Sequence, residues 1–275
     1  MNILAEPLAY LIRPIYHAIG NYGLTLIIVT LLIRLATIPL TVMSQKSMAK
    51  TQLLQPEIEK LNKKYKNDKE KLSIEMQKLY TKNGVNPMGG CLPLVVQMFV
   101  LFGFIRVVYS PLKYILQLTN ENIEAIRKGV GAARTVYEVT LCGMDGVKEQ
   151  ILALGKKPID FDFLGIDLTQ MLKGNTGDIK MWIFPLLAVI ATVITSLMSK
   201  NQMKNQAQTN ESAASMTNSM MMIMPVMTAY FTYIMPAGMS LYWFISTFAQ
   251  IIQQAVINKI IKKETVKEAE RKDKK

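Results

Sequence analysis

One arginine stands out for the chemistry that its setting demands. Arg34 lies well inside an apolar run from Tyr22 to Val42, and an arginine near the middle of a bilayer-spanning helix costs about 2.5–3.5 kcal/mol on insertion scales. The usual remedy is an intramembrane carboxylate, yet none of the long apolar runs of this chain contains Asp or Glu. What accompanies Arg34 is neutral: Thr30, Thr37 and Thr41 stand with it at spacings of four, three and four, one polar stripe down a helix. The last apolar run carries a matching stripe of Ser240, Trp243, Thr247, Gln250, Gln254 and Asn258. A rise of 1.5 Å per residue puts Gln250 about 18 Å from the outer end of its helix, near the depth of Arg34. Gln97 in the second run, and Thr192, Thr195 and Ser196 in the third, add polar groups to the inner half. Together these residues predict a water-containing, positively charged cavity open to the cytoplasm, where hydration or a visiting anion satisfies the guanidinium. The opposing reading is a closed bundle in which backbone carbonyls do so.

Covalent catalysis finds no residues to run it. The only histidine, His17, falls near the outer surface, and the spans offer no Ser/His pair, aspartate pair or metal ligands of the kind an intramembrane protease needs. No glycine-rich phosphate loop is present. Cys91 and Cys142 are placed on opposite sides of the membrane, so neither a disulfide nor a metal framework is expected. These residues describe a protein without cofactor or metal that is not an enzyme.

The elements that must position Arg34 follow from composition. Half of the residues are hydrophobic, and they gather in blocks of roughly 18 residues or more, long enough to cross the hydrocarbon core as helices. Five are legible: Tyr22 to Val42, Leu92 to Tyr109, Met181 to Met198, Asn218 to Pro236, and Met239 to Ile257, the last two divided by the turn Pro236, Ala237, Gly238. The net charge of +12 is unevenly placed. Ten lysines against five acids lie between Gln45 and Pro87, and eight basic residues against four acids lie after Asn258. Both segments are expected in the cytoplasm, whereas the loop from Leu112 to Lys180 is neutral. Basic residues flanking spans point to anionic lipid or a ribosome rather than to nucleic acid as substrate. The expected fold is therefore an all-α, multi-pass protein of the cell membrane with five transmembrane helices, its N-terminus outside and its C-terminus cytoplasmic. Spans are expected at 21–44, 88–111, 181–199, 218–236 and 237–261. Around them come an outer interfacial helix at 1–20, a cytoplasmic helical hairpin at 45–87, an extracellular loop at 112–180, a cytoplasmic loop at 200–217 and a basic cytoplasmic tail at 262–275.

Residues 1–20 lack the basic start and long apolar centre of a cleaved leader, because Glu6, Pro7, Arg13 and Pro14 interrupt them. Leu4, Leu8, Leu11, Ile15 and Ile19 recur instead at helical spacing, as in an amphipathic helix lying in the interface. In the lysine-rich segment, Leu54, Ile58, Leu61 and Tyr65 form one stripe and Leu72, Met76 and Leu79 a second, separated by Asn67-Asp68 and stopped by Asn83-Gly84. Such a two-helix arm has little core and is expected to be mobile and open to a partner. Two function classes survive: a small-anion transporter or channel with Arg34 as its selectivity charge, and a device that accepts polypeptide into the bilayer. Transporters usually carry internal repeats, and none is evident here. Met216, Met220, Met221, Met222, Met224 and Met227 make the fourth span a soft apolar surface suited to varied partners.

Three runs carry a family likeness: TLIIVTLLIRLATIPL from Thr25, NPMGGCLPLVVQM from Asn86, and MIMPVMTAYFTYIMPAGMSLYWFISTFAQIIQQ from Met222. In that order they resemble the membrane insertases of the YidC/Oxa/Alb superfamily, in the short form found in Gram-positive bacteria. The resemblance implies five helices around a hydrophilic groove closed to the outside and open to lipid and cytoplasm, and an insertase and chaperone for integral membrane proteins. It makes Arg34 the groove residue that attracts acidic client tails and Trp243 the tryptophan of the LYW motif, with Thr30, Thr37, Gln97 and Gln250 as groove neighbours. It also implies a hairpin needed for activity, a client path along the second and fourth helices, and nascent membrane proteins and lipids as partners. The ribosome, through the basic tail, and the Sec translocon are further candidate partners. The chain departs from many short relatives in lacking an early lipoprotein cysteine and in a long outer loop, whose stretch Thr119 to Pro158 reads as an insertion with helical character from Glu121 to Arg134. Its tail after Lys262 is short, which implies modest affinity for ribosomes.

Overall fold

A computed structural model describes residues 2–85, 92–203 and 211–273. The chain is mostly helical. Its helices are α1 (Asn2–Ile19), α2 (Tyr22–Ala36), α3 (Ile38–Leu53), α4 (Gln55–Lys64), α5 (Lys69–Lys82), α6 (Leu92–Tyr109), α7 (Pro111–Tyr114), α8 (Asn120–Gly129), α9 (Glu138–Cys142), α10 (Val147–Ala153), α11 (Ile183–Met203), α12 (Glu211–Ile234) and α13 (Ala237–Asp273). A small antiparallel ribbon pairs β1 (Asp162–Phe163) with β2 (Ile166–Asp167). Residues 86–91, which hold the NPMGGC run and Cys91, and 204–210 of the loop expected at 200–217 lie outside the described residues. The side chains of Leu4, Met216, Met220 and Met221 do too.

Among the described residues, one stretch, Ile179–Ser199, is by itself long and apolar enough to cross a bilayer, and Tyr22–Ala36 with Ile38–Thr51 passes the same test as one interrupted span. Val95–Tyr109 and Met222–Ile234 are shorter apolar helices. The expected run from Tyr22 to Val42 is thus broken at Thr37 and continues as helix to Leu53. Pro39 accounts for the break: its nitrogen carries no hydrogen for the carbonyl of Leu35, and its ring crowds that carbonyl. Beyond Gly238 no break intervenes, and α13 runs on through the segment expected as a separate tail.

The chain divides into two compact units, the first made of Met1–Arg34, Gln97–Thr192 and Pro225–Phe248. Its core is built by remote segments. Ala5, Ala9, Ile12 and Tyr16 bury one face of α1, spaced four, three and four, with Leu8, Leu11 and Ile15 packed at its margin. That face is rotated by about one residue from the expected leucine stripe, because α1 seats against folded protein rather than presenting leucines alone. Arg13 Nε donates to the Tyr114 carbonyl at 2.6 Å, and the Asp160 amide donates to the Tyr16 hydroxyl at 3.0 Å. The long loop adds Leu112, Tyr114, Ile126, Leu141, Val147 and Leu168 to the same core. Thr119 caps α8 by accepting from the Asn122 amide at 3.2 Å. The helix ends at Gly129, short of the expected Arg134, as Gly131 turns the chain at a φ of +68°.

Within this loop Glu138 is largely buried and accepts from the Lys113 amide at 3.0 Å. Burial pushes its carboxyl above the usual carboxylate range, and the Lys113 amide, the Ser110 hydroxyl, Arg127 and the Lys113 charge pull it part of the way back. Burial likewise pushes the free thiol of Cys142 well up, which makes it a packing group rather than a nucleophile. The ribbon turns through Leu164 and Gly165, both at positive φ, and lays the Phe163 ring over Gly23 so closely that a Cβ there would collide with the ring. Residues after β2 then grip the turn between α12 and α13. The Lys173 amide donates to the Tyr233 carbonyl at 2.9 Å, the Ala237 amide to the Gln170 carbonyl at 2.8 Å, and the Gly238 amide to the Leu168 carbonyl at 3.1 Å. These bonds satisfy groups that a helix end leaves open.

The second unit comprises Leu35–Val96, Val193–Met224 and Ala249–Lys275. In it α4 and α5 form an antiparallel pair joined by a short turn. Asp68 caps α5 by accepting from the Lys71 amide at 3.0 Å, and α5 stops at Lys82 with Gly84 at a φ of +61°. Leu54, Ile58 and Val85 form the buried apolar cluster of this helical pair, with Met76, Leu79 and Tyr80 against them. The ion pairs Lys78–Glu75 and Lys71–Asp68 are exposed, and solvent screening leaves them little weight in holding the pair together.

Candidate polar site at Arg34

Arg34 occupies the last turn of α2, just before the break at Thr37. Its half-buried guanidinium reaches α13, where Nη2 donates to the Ser246 hydroxyl oxygen at 2.6 Å and Nε to the same oxygen at 3.2 Å. Ser246 is 5% exposed. One turn earlier on the same face, Tyr242 is 3% exposed and lies within electrostatic reach of Arg34. The Tyr242 ring stacks on Phe104 of α6, with centroids 4.0 Å apart and planes 21° from parallel. Gln97, two turns from Phe104 on α6, and Ser246 flank the Tyr242 hydroxyl, but no hydrogen bond of good geometry reaches that oxygen. A cation, a serine, a tyrosine hydroxyl and an amide thus share one patch of the first unit. Ser246, which accepts from it twice, is neutral, so these two bonds orient the guanidinium through an oxygen that carries no charge.

The other expected site residues divide. Thr30 is buried and gives its hydroxyl to the Leu26 carbonyl of its own helix at 2.6 Å, which relieves no charge. Trp243 faces α12, where its ring stacks on Phe231 with centroids 6.0 Å apart. Thr37 and Gln250 belong to the second unit, where the Thr37 carbonyl accepts from the Thr41 amide and from its hydroxyl, each at 3.0 Å. Ser240, expected on the polar stripe, bonds the Thr232 carbonyl at 3.4 Å, at the packed end of the α12–α13 pair. Ser246 and Tyr242 are unmarked in the sequence reading, although two hydroxyl residues four apart on the last span were a signal that could have found them once an arginine in an apolar run called for acceptors. Among the described residues no group of His, Cys, Asp and Glu is arranged to hold a metal ion.

Residues 14–264 match the family described as 60Kd inner membrane protein. The chain is 31% identical over 258 residues to the membrane protein insertase YidC of Fusobacterium nucleatum, covering 94% of this chain and 96% of that protein. The proteins of the same description from Geobacter sulfurreducens and Chlorobaculum tepidum are 30% and 32% identical, again over 94% of this chain. Of those two proteins the chain spans 38% and 37% of the length.

Proposed function

This chain belongs to the 60Kd inner membrane protein family, and from that membership we propose that it is a membrane protein insertase whose working charge is Arg34. Its clients are nascent membrane proteins. A short acidic tail of the client enters a hydrophilic groove among five transmembrane helices, Arg34 and nearby water lower the desolvation cost of its carboxylates, and the client's apolar segment partitions into lipid beside α6 and α12. The N-terminus lies outside and the hairpin of α4 and α5 and the end of α13 lie in the cytoplasm, where their lysines meet anionic lipid, the ribosome and the Sec translocon. Arg34 is the charge that meets the client, with Thr30, Thr37, Gln97, Trp243 and Gln250 as its proposed groove neighbours. No covalent step is involved.

The observation that carries this reading is the setting of Arg34: a cation inside an apolar helix, held by the neutral Ser246 hydroxyl, in a chain whose apolar runs contain no carboxylate. In a medium of low polarity one such charge acts strongly, because water and salt screen it little. The test is insertion of clients with acidic tails into vesicles containing the purified protein. Arg34→Ala is expected to abolish it and Arg34→Lys to retain much of it. Normal insertion by the alanine variant would refute the charge-attraction mechanism, and sustained, saturable anion flux through client-free vesicles would replace it with a channel.

A further inference from the structure

The Tyr242 hydroxyl is buried beside polar side chains yet forms no hydrogen bond of good geometry with any of them. Of the groups around Arg34 it is the one whose oxygen is buried without a hydrogen-bond partner of good geometry. A buried hydroxyl without a partner forfeits the bonds it had in water, so native proteins keep such groups rarely and each calls for a reason. Packing alone does not supply one: the ring already stacks on Phe104, and phenylalanine would do that equally well. The position is more informative. The hydroxyl sits within reach of the Arg34 charge, beside Ser246 and Gln97, one helical turn from the oxygen that fixes the guanidinium.

Resting on the insertase reading, we infer that Tyr242 is a specificity-determining residue whose hydroxyl is the second donor, with Arg34, for a carboxylate of the client tail. A carboxylate has two acceptor oxygens and no donor, so a guanidinium and a phenol hydrogen together match it. A neutral amide of the same shape presents one oxygen and an NH2 group, whose hydrogens face the Arg34 cation unfavourably. The pair therefore distinguishes Asp from Asn at one tail position. Ser246 serves this arrangement by holding the guanidinium from one side through an oxygen that carries no charge. The client's carboxylate then supplies the partner that the hydroxyl lacks, and that bond forms only when a client is bound.

Tyr242→Phe separates this role from packing, since it removes one oxygen and keeps the stacked ring. Two measurements on the full-length protein decide it. In thermal unfolding the variant is expected to melt at the same temperature as the parent or above it, because a hydroxyl without a partner contributes no bond to lose; a clear drop would mean that the hydroxyl is already bonded in the free protein and would overturn the inference. In reconstituted vesicles, matched clients that differ only by Asp or Asn in the tail are inserted by the parent, by Tyr242→Phe and by Arg34→Ala. The Asp-over-Asn preference is expected to fall about tenfold in Tyr242→Phe, in line with loss of one hydrogen bond to a charged group. An unchanged preference, including one where both clients drop equally, overturns it. If Arg34→Ala abolishes the preference and Tyr242→Phe leaves it intact, only the role of Tyr242 fails; if Arg34→Ala leaves it intact, the insertase reading of Arg34 fails with it.

Discussion

Ile12 of α1, Phe104 of α6, Leu141 of α9 and Leu168 after β2 share one core in the first unit, so segments more than a hundred residues apart hold one another in place. The α4–α5 pair has only Leu54, Ile58 and Val85 buried, with Met76, Leu79 and Tyr80 at the edge. Its remaining order comes from the Asp68 cap and ion pairs open to solvent. Burial of apolar area scales stability, and connection between remote segments makes that stability cooperative. The first unit is therefore the rigid body in which Arg34, Tyr242 and Ser246 keep their geometry, and the helical pair is the part that opens at small cost.

The contrast is tested most severely by matched truncations. Leu141→Ala, at a site with no solvent exposure, is expected to destabilise the first unit by about 3 kcal/mol, read as a lowered melting temperature of the whole protein. Ile58→Ala is expected to cost about 2 kcal/mol, the low end for such truncations, because its few neighbours can close over the gap, and to speed amide exchange in residues 55–82 alone. Equal costs would erase the distinction. Next in size is Gly23→Ala, which drives a methyl group into the Phe163 ring and is expected to cost about 1–3 kcal/mol by overpacking, measured in the same unfolding experiment.

The smallest effect concerns Glu138. Its folded-state carboxyl is raised above the ordinary value, so protonation favours the folded form. Its contribution is present in full below the ordinary carboxyl range and is lost as pH rises through the raised value. Acidification across that window is expected to raise the melting temperature of the first unit slightly, and Glu138→Gln is expected to flatten this dependence. A melting temperature that instead rises with pH across the window, in the parent but not in the variant, would reverse the assignment.

The helical character of this chain was legible because apolar residues recur at three and four, and Arg34 was legible because an ion in an apolar run is costly wherever it points. Its partner was not. A polar stripe read at helical spacing locates a face to within about one residue, and Ser246 stands on the face beside the marked one of Trp243, Thr247 and Gln250. Which neighbour an arginine bonds is settled by how α2 and α13 pack, and no local pattern encodes that. The same limit applies to α1, whose buried alanines Ala5 and Ala9 are silent in a reading that weights leucine. It applies most to the stretch from Thr119 to Pro158, which looked like an insertion of unknown purpose. Leu141 and Val147 are unremarkable in sequence and become core residues only because α1 and α6 come to meet them.

The grip of residues 168–173 on the Pro236 turn has a mechanical consequence. Three backbone bonds clasp α12 and α13 where they join, so that corner works like a riveted hinge plate: the two helix ends that meet there cannot separate unless the loop lets go of all three carbonyls and amides.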